Sequence, residues 1–183
     1  MNSISIYHVN SRSEIEKCKK SFESNNPHLY TAKEDGFWAG NGMYFWDNIG
    51  NANYWLKHSR KKDPIILKAK LNYSSSDILD LTDNTVMNTF NELWPAVAKK
   101  FKINEKATLG KKINTLTEFF GTKVNVVKEI GLYPRVKNHE FLNVNSGQIK
   151  LPHVTGQARI IYCVKTTAVL SNLQIINNEV YRR

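Results

Sequence analysis

The stretch Gly40–Trp55, "GNGMYFWDNIGNANYW", decides how this chain is read. It packs three glycines, four asparagines and five aromatic residues into sixteen positions. The apolar block Met43–Trp46 is short and aromatic, so it reads as a buried strand. Ile49, Ala52, Leu56 and either Tyr54 or Trp55 then recur at helical spacing. A strand running into a helix through Asp-Asn is thus expected here. Two readings of the aromatics stand side by side: a packed core, or the walls of a pocket for a flat ligand. Gly40 and Gly42 favour the second, because backbone without side chains lets a ligand approach closely.

Upstream, "SISIYHV" (Ser3–Val9) alternates and is rich in β-formers, which predicts a first strand. In "SRSEIEKCKKSFES", Ser13 and Glu16 have the spacing of a capping box, and Ile15, Cys18 and Phe22 recur as one helix face. Asn25-Asn26-Pro27 ends that helix. Downstream, "DPIILKAKL" (Asp63–Leu71) is a strand opened by Pro64, a position where proline is tolerated. "SSSDILDLTD" reads as turn, short strand, turn. Its Asp77, Asp80 and Asp83 are expected as turn caps rather than an acidic site.

The character changes between Asp83 and about Ile130. "NTVMNTFNELWPAVAKKF" and "ATLGKKINTLTEFFG" carry apolar residues three and four apart, predicting two helices. The first is expected to kink or break at Pro95, and the second to end at Gly121. After Tyr133-Pro134 the pattern returns to strands, with "HEFLNVN", "RIIYCVK" and "NLQIINNEVY" as candidates. The whole is an α+β chain, 1–183, read as one domain with a helical insert over about 83–130.

With 183 residues the chain is long enough to bury a sizeable core. No apolar run is long enough to span a bilayer and no secretory signal pattern opens the chain, so a cytoplasmic, membrane-free protein with reduced thiols is expected. Cys18 and Cys163 match no metal spacing and read as core thiols. The five histidines are scattered, and no metal site is expected. The net charge is +10, with basic residues gathered in "KCKK", "KHSRKK", "AKKFK", "EKATLGKK" and the terminal "RR". Such a field favours a polyanionic partner, although lysines on solvated helix faces are the commoner outcome for the insert.

"GNGMYFWDNIGNANYW", preceded by "YHVNS" at the end of the first strand, resembles the nicotinamide-binding segment of ADP-ribosyltransferases of the diphtheria-toxin and poly(ADP-ribose)-polymerase class. Shared features are a glycine-x-glycine, Tyr-Phe, an acidic residue soon after, and Ala-Asn-Tyr at the head of a helix. "DPIILKAKL" fits that family's next strand, and "RIIYCVKTTAV" with "NLQII" its closing strands. The resemblance spans about two-thirds of the chain and excludes the helical middle. It implies a split β-sandwich of two small antiparallel sheets with flanking helices, and NAD as co-substrate.

It also implies roles. Tyr44 and Tyr54 clamp the nicotinamide ring, since stacked rings supply contact area and orientation together. His8 holds the adenosine-side ribose. Gly40 and Gly42 give ligand clearance, and Asn51 stands where the family has a small hydroxyl residue against the nicotinamide amide. Val9 replaces the family's glycine, leaving its backbone to hold the carboxamide, with Asn10 or Ser11 in the next polar role. The family's late glutamate has no counterpart in "TGQARIIYCVK". Gln157 takes its place, with Glu140 of "HEFLNVN" as the alternative, and transfer of single ADP-ribose units rather than chains is implied. The expected activity is mono-ADP-ribosyl transfer to a macromolecule, nucleic acid (RNA before DNA) or protein. By analogy this is a toxin of a toxin–antitoxin or anti-phage system with an acidic antitoxin. Two other classes remain: an inactive module that binds NAD or ADP-ribose, and an RNA-binding module stacking bases on Trp38, Tyr44, Trp46 and Trp55.

Overall fold

The computed structural model describes residues 2–32, 38–121, 124–133, 142 and 155–176. In chain order the elements are β1 (Asn2–Ser11), α1 (Arg12–Glu23), β2 (Met43–Trp46), α2 (Ile49–His58), β3 (Pro64–Tyr73) and β4 (Ile78–Asp80). They continue with α3 (Asn84–Lys100), α4 (Leu109–Phe120), β5 (Val126–Leu132), β6 (Ala158–Val164) and β7 (Leu170–Ile176). The fold is α+β. The strands form one mixed, open seven-stranded sheet of order β4-β5-β6-β2-β1-β3-β7, antiparallel except for the β4–β5 pair.

Two separate sheets were the expectation, and the structure corrects it. β1 pairs with β3 along all ten of its residues, and β2 pairs with β6 along all four of its own. Between β1 and β2, however, the ladder is one pair, Tyr7 with Trp46. The sheet is therefore continuous but held by a single rung at its centre, between β4-β5-β6-β2 and β1-β3-β7.

Both faces of the sheet are covered. Ile15 and Cys18 of α1 pack with Ile6, Leu67 and Ala69 on one face. Residues of opposite parity, Val9, Ile66 and Ile161, meet Ala52 of α2 on the other. On that second face Ile113 of α4 meets Val127 and Cys163. This double coverage explains why Ile65, Ile66 and Leu67 form an unbroken buried run rather than an alternation. α3 and α4 pack on each other through Trp94, Val97, Ala98 and Leu116.

Local expectations fare unevenly. Asp77 accepts from Ser74 N at 2.9 Å, Asp80 from Thr82 N at 2.9 Å, and Asp83 caps α3 through Thr85 N at 2.7 Å, so all three are turn and cap residues as read. The capping box at Ser13 is not used. β1 continues to Ser11, where it pairs with Pro64, and Arg12 N bonds Asp63 O at 3.0 Å, so the chain turns directly into α1 with Ser11 at the N-cap. α3 runs unbroken through Pro95, which lies on its exposed side, while Trp94 anchors the buried side and donates Nε1–H to Glu105 O at 2.8 Å. The helical insert ends at Phe120, not near Ile130. Val126–Leu132 is a strand because it is flanked on both sides, by β4 and by β6. Apart from Leu142, the expected strand 139–145 lies outside the described residues. No helix among the described residues is long and apolar enough to cross a membrane.

Gly42 carries a sharp steric constraint. A Cβ there would sit 2.3 Å from Cys163 Sγ and 2.8 Å from Val164 O. Gly42→Ala is expected to lower stability by about 1–3 kcal/mol, the usual cost of overpacking. A shifted urea midpoint at unchanged slope checks this; an unmoved midpoint contradicts it.

Candidate active site

Past the Tyr7–Trp46 rung, β1 and β2 part. Neighbouring residues on a strand point to opposite faces. Yet one cavity is lined by His8 and Val9 from β1 and by Tyr44, Phe45 and Trp46 from β2. A cavity touching consecutive residues of both strands lies between them, in the opened seam. Its volume is about 200 Å³. That is below the roughly 300–1,000 Å³ of sites that swallow a drug-sized ligand, and suits one ring-sized group.

His8 bridges the seam. Its Nδ1 lies 2.6 Å from Tyr44 O. A carbonyl only accepts, so Nδ1 carries the proton and Nε2 is left as an acceptor. Nε2 is buried and has no hydrogen-bond partner among the described residues. Burial is the main cause holding the His8 pKa down to about 4, against the raising effect of the Tyr44 bond; Lys61 adds to the lowering. At neutral pH the ring is therefore uncharged, and Nε2 keeps its lone pair.

The other walls are aromatic and apolar: Trp38, Trp55, Tyr133 and Ile161. Trp46 stands 6.0 Å from Trp55 and 5.9 Å from Tyr133, ring centre to ring centre, and Trp38 stands 6.1 Å from Tyr133. Such spacings are those of tilted ring pairs in contact. Gly131 makes this closure feasible. A Cβ there would meet Trp38 at 2.9 Å, Ile161 at 3.0 Å and Tyr133 at 3.1 Å.

Of the residues singled out by sequence, His8, Val9 and Tyr44 are brought together on this cavity. Tyr54 is not a lining residue; its ring stacks on His58 at 4.1 Å. Asn51 Nδ2 donates to Asp47 Oδ1 at 2.7 Å, and Asn48 is the N-cap of α2, so the Asn51 side chain organises the strand–helix turn. The Asn10 side chain accepts from Ser11 N at 2.9 Å. Gln157 precedes β6, and its carbonyl accepts from Tyr133 N at 2.9 Å, which ties it to a cavity wall without making it one. Glu140 lies outside the described residues.

Gly40 and Gly42 do not line the cavity. Gly40 has φ +76°, and a Cβ on it would strike Asn114 Oδ1 at 2.2 Å. Gly42 is pressed against β6. Their missing side chains make room for the protein itself. Asn114 of α4 accepts from Asn41 N at 2.7 Å, and Lys165 Nζ donates to Ala39 O at 2.8 Å and to Asn41 O at 2.6 Å. The Tyr44 hydroxyl donates to Gly40 O. These bonds fix the segment that carries Trp38 into the cavity wall. The helical insert thus contributes to the site at second hand, by buttressing this segment.

Of the two readings of the aromatics, pocket wall holds for Phe45, Trp46 and Trp55, which all line the cavity, and Trp55 is 40% exposed. Sequence reasoning missed Tyr133 and Ile161, which only the sheet order brings to β2. It also missed Glu129, a carboxylate 6% exposed that lies across β6 from Trp46, in the row Trp46–Ile161–Glu129. An acid at a core-facing strand position was the available signal. Cys18 and Cys163 are free and buried, and burial raises each thiol to about 11, as befits core cysteines rather than nucleophiles. Among the described residues no three His, Cys, Asp or Glu side chains converge as metal ligands. In comparisons with known proteins, the chain matches no family model, no curated protein and no solved structure.

His8 gives the fold a testable acid sensitivity. The unfolded ring binds a proton below about 6.5, the folded ring only below about 4. The unfolded state then holds more protons between these values, so stability falls as pH drops through that window, by up to about 1.4 kcal/mol per unit. Urea titrations from pH 7 to 4 should show a steeper loss for the native protein than for His8→Gln. Parallel curves would exclude the assignment.

Proposed function

We propose that the chain is an NAD-dependent mono-ADP-ribosyltransferase. One observation carries the reading: His8, uncharged and with no partner for its buried Nε2 among the described residues, lines an aromatic cavity where β1 and β2 separate. The fit is to one end of NAD. About 200 Å³ takes a nicotinamide ring but not a dinucleotide, so the remainder lies outside the cavity. Tyr44 and the tryptophans supply ring faces, and His8 Nε2 accepts from a ribose hydroxyl.

In transfer, the bond between nicotinamide nitrogen and the ribose anomeric carbon breaks, and nicotinamide leaves with the electron pair. An acceptor nucleophile bonds that carbon and gives up its proton. Positive charge builds on the ribose, as in glycoside cleavage. The protein's part is to position the sugar and exclude water from the ring end. Gln157 is the expected polar group toward the ribose, with Glu140 as its alternative; Glu129 is the buried carboxylate closest in strand register to the cavity wall. The +10 charge favours a nucleic-acid acceptor, RNA before DNA, over a protein. A toxin role with an acidic antitoxin rests on the resemblance alone.

A second reading has its own support. No carboxylate lines the cavity among the described residues, which favours a module that binds NAD, ADP-ribose or an unpaired base without turnover. Incubation with adenylate-labelled NAD plus RNA, DNA and cell protein separates the two. Transfer of label to one pool, reduced about 100-fold or more in Tyr44→Ala and His8→Ala, is expected for an enzyme that works by positioning. Binding with no label transfer and no nicotinamide release would establish the second reading instead.

A further inference from the structure

Part of the protein's positive charge is paired within the fold. On α1, Lys17 and Lys19 pair with Glu14 and Glu23. On the α3–α4 hairpin, Lys100 lies over the Phe119 ring and Lys112 over the Trp94 ring. Lys128 is bonded to Asp80 at 2.8 Å. Lys20 and, on the hairpin, Lys99, Lys102, Lys106 and Lys111 are exposed and outside any ion pair among the described residues. The turn from α2 to β3 differs in crowding its cations close to Trp55. Lys57, Arg60, Lys61 and Lys62 are all exposed, and none takes part in an ion pair among the described residues. Asp63, the one acid between Asp47 and Asp77, is taken by Arg12 at 2.6 Å.

Lys57 has a structural reason to be where it is, because a cation in a last turn complements the helix dipole. Arg60, Lys61 and Lys62 lie beyond the helix end and have no such reason. They do not line the cavity, but the elements on either side of them lead to it. α2 carries Trp55, which lines the cavity and is 40% exposed. β3, which the turn enters, begins opposite Ser11, three residues past His8. The charge of Lys61 acts on His8 in the same direction as burial, as the smallest of three causes.

An exposed tryptophan next to three unpaired cations is the combination that binds single-stranded nucleic acid: a ring for a base to stack on, and charges that follow the phosphates. We propose that Trp55 and the Arg60–Lys62 turn form a binding surface for single-stranded nucleic acid at the mouth of the cavity. This deepens the reading of the acceptor given above, by naming the surface that would bring it to the site. Nucleic acid binding at this surface needs no NAD, so it is measurable whether or not the transferase reading holds.

The test is anisotropy of a labelled single-stranded oligonucleotide, RNA or DNA, titrated over a range of salt without NAD. The native protein should bind with a strong salt dependence. Arg60→Gln/Lys61→Gln/Lys62→Gln should lose about tenfold or more in affinity and lower the salt slope by about 2, since each single-strand phosphate contact contributes roughly 0.7. Trp55→Ala should lose about tenfold through stacking. Lys99→Gln/Lys102→Gln/Lys106→Gln removes equal charge from the exposed hairpin and should bind within about twofold of native. Matching thermal melts establish that each variant is folded. Equal losses in both triple variants would overturn the proposal in favour of diffuse attraction. So would no binding by the native protein, or stronger binding to a polyglutamate peptide than to the oligonucleotide.

Discussion

The hydrogen bond from His8 to the Tyr44 carbonyl is the constraint around which the site is arranged. A sheet satisfies its carbonyls by laddering to the next strand. At the β1–β2 seam that ladder stops after one rung, and an imidazole reaches across in place of a backbone N–H. Using Nδ1 for this bond fixes the tautomer, and the tautomer fixes Nε2 as an acceptor. Burial then keeps the ring neutral. One contact therefore joins the two parts of the sheet beside the cavity and leaves the ring neutral with Nε2 as an acceptor.

The remainder of the fold supplies walls. β6 brings Ile161 against Trp46, and β5 brings Tyr133 across Gly131, whose missing side chain lets the rings close over the strand. α4 and Lys165 restrain the segment carrying Trp38 by bonds to its backbone. The helical hairpin that no strand pattern accounts for is in this way part of the site's support. Two of its lysines, Lys100 and Lys112, lie over its own aromatic rings, while the α2–β3 turn that follows Trp55 carries Arg60, Lys61 and Lys62 exposed and outside any ion pair among the described residues.

The identities of the elements were largely legible in the sequence. Apolar periodicity placed β1, α1, β2, α2, β3, β4, α3, α4, β6 and β7, because each needs only its own spacing of apolar residues. β5 was the failure. "VVKEIGL" follows two helices and carries buried Val126 and Val127 in succession, a pattern that helix and buried strand share. The site was legible in part. His8, Val9 and Tyr44 sit on short, recognisable segments and do share a cavity. Tyr54 and Trp55 are adjacent on α2, and no spacing rule told which of the two would turn toward it.

Glycine shows the limit most clearly. From sequence, Gly40 and Gly42 mean only that something comes close to the backbone there. That the visitors are Asn114 and Cys163, seventy and more residues away, follows from how α4 and β6 pack. By itself the sequence determined the α+β class, the strand–helix unit around Met43–His58, the buried cysteines and the excess of positive charge, since these depend on local pattern and composition. Only the tertiary structure decided that the strands form one sheet joined by a single rung, which aromatic rings face the opening, and which cations are left unpaired. Those are contacts between residues far apart in the chain, and neither periodicity nor composition carries that information.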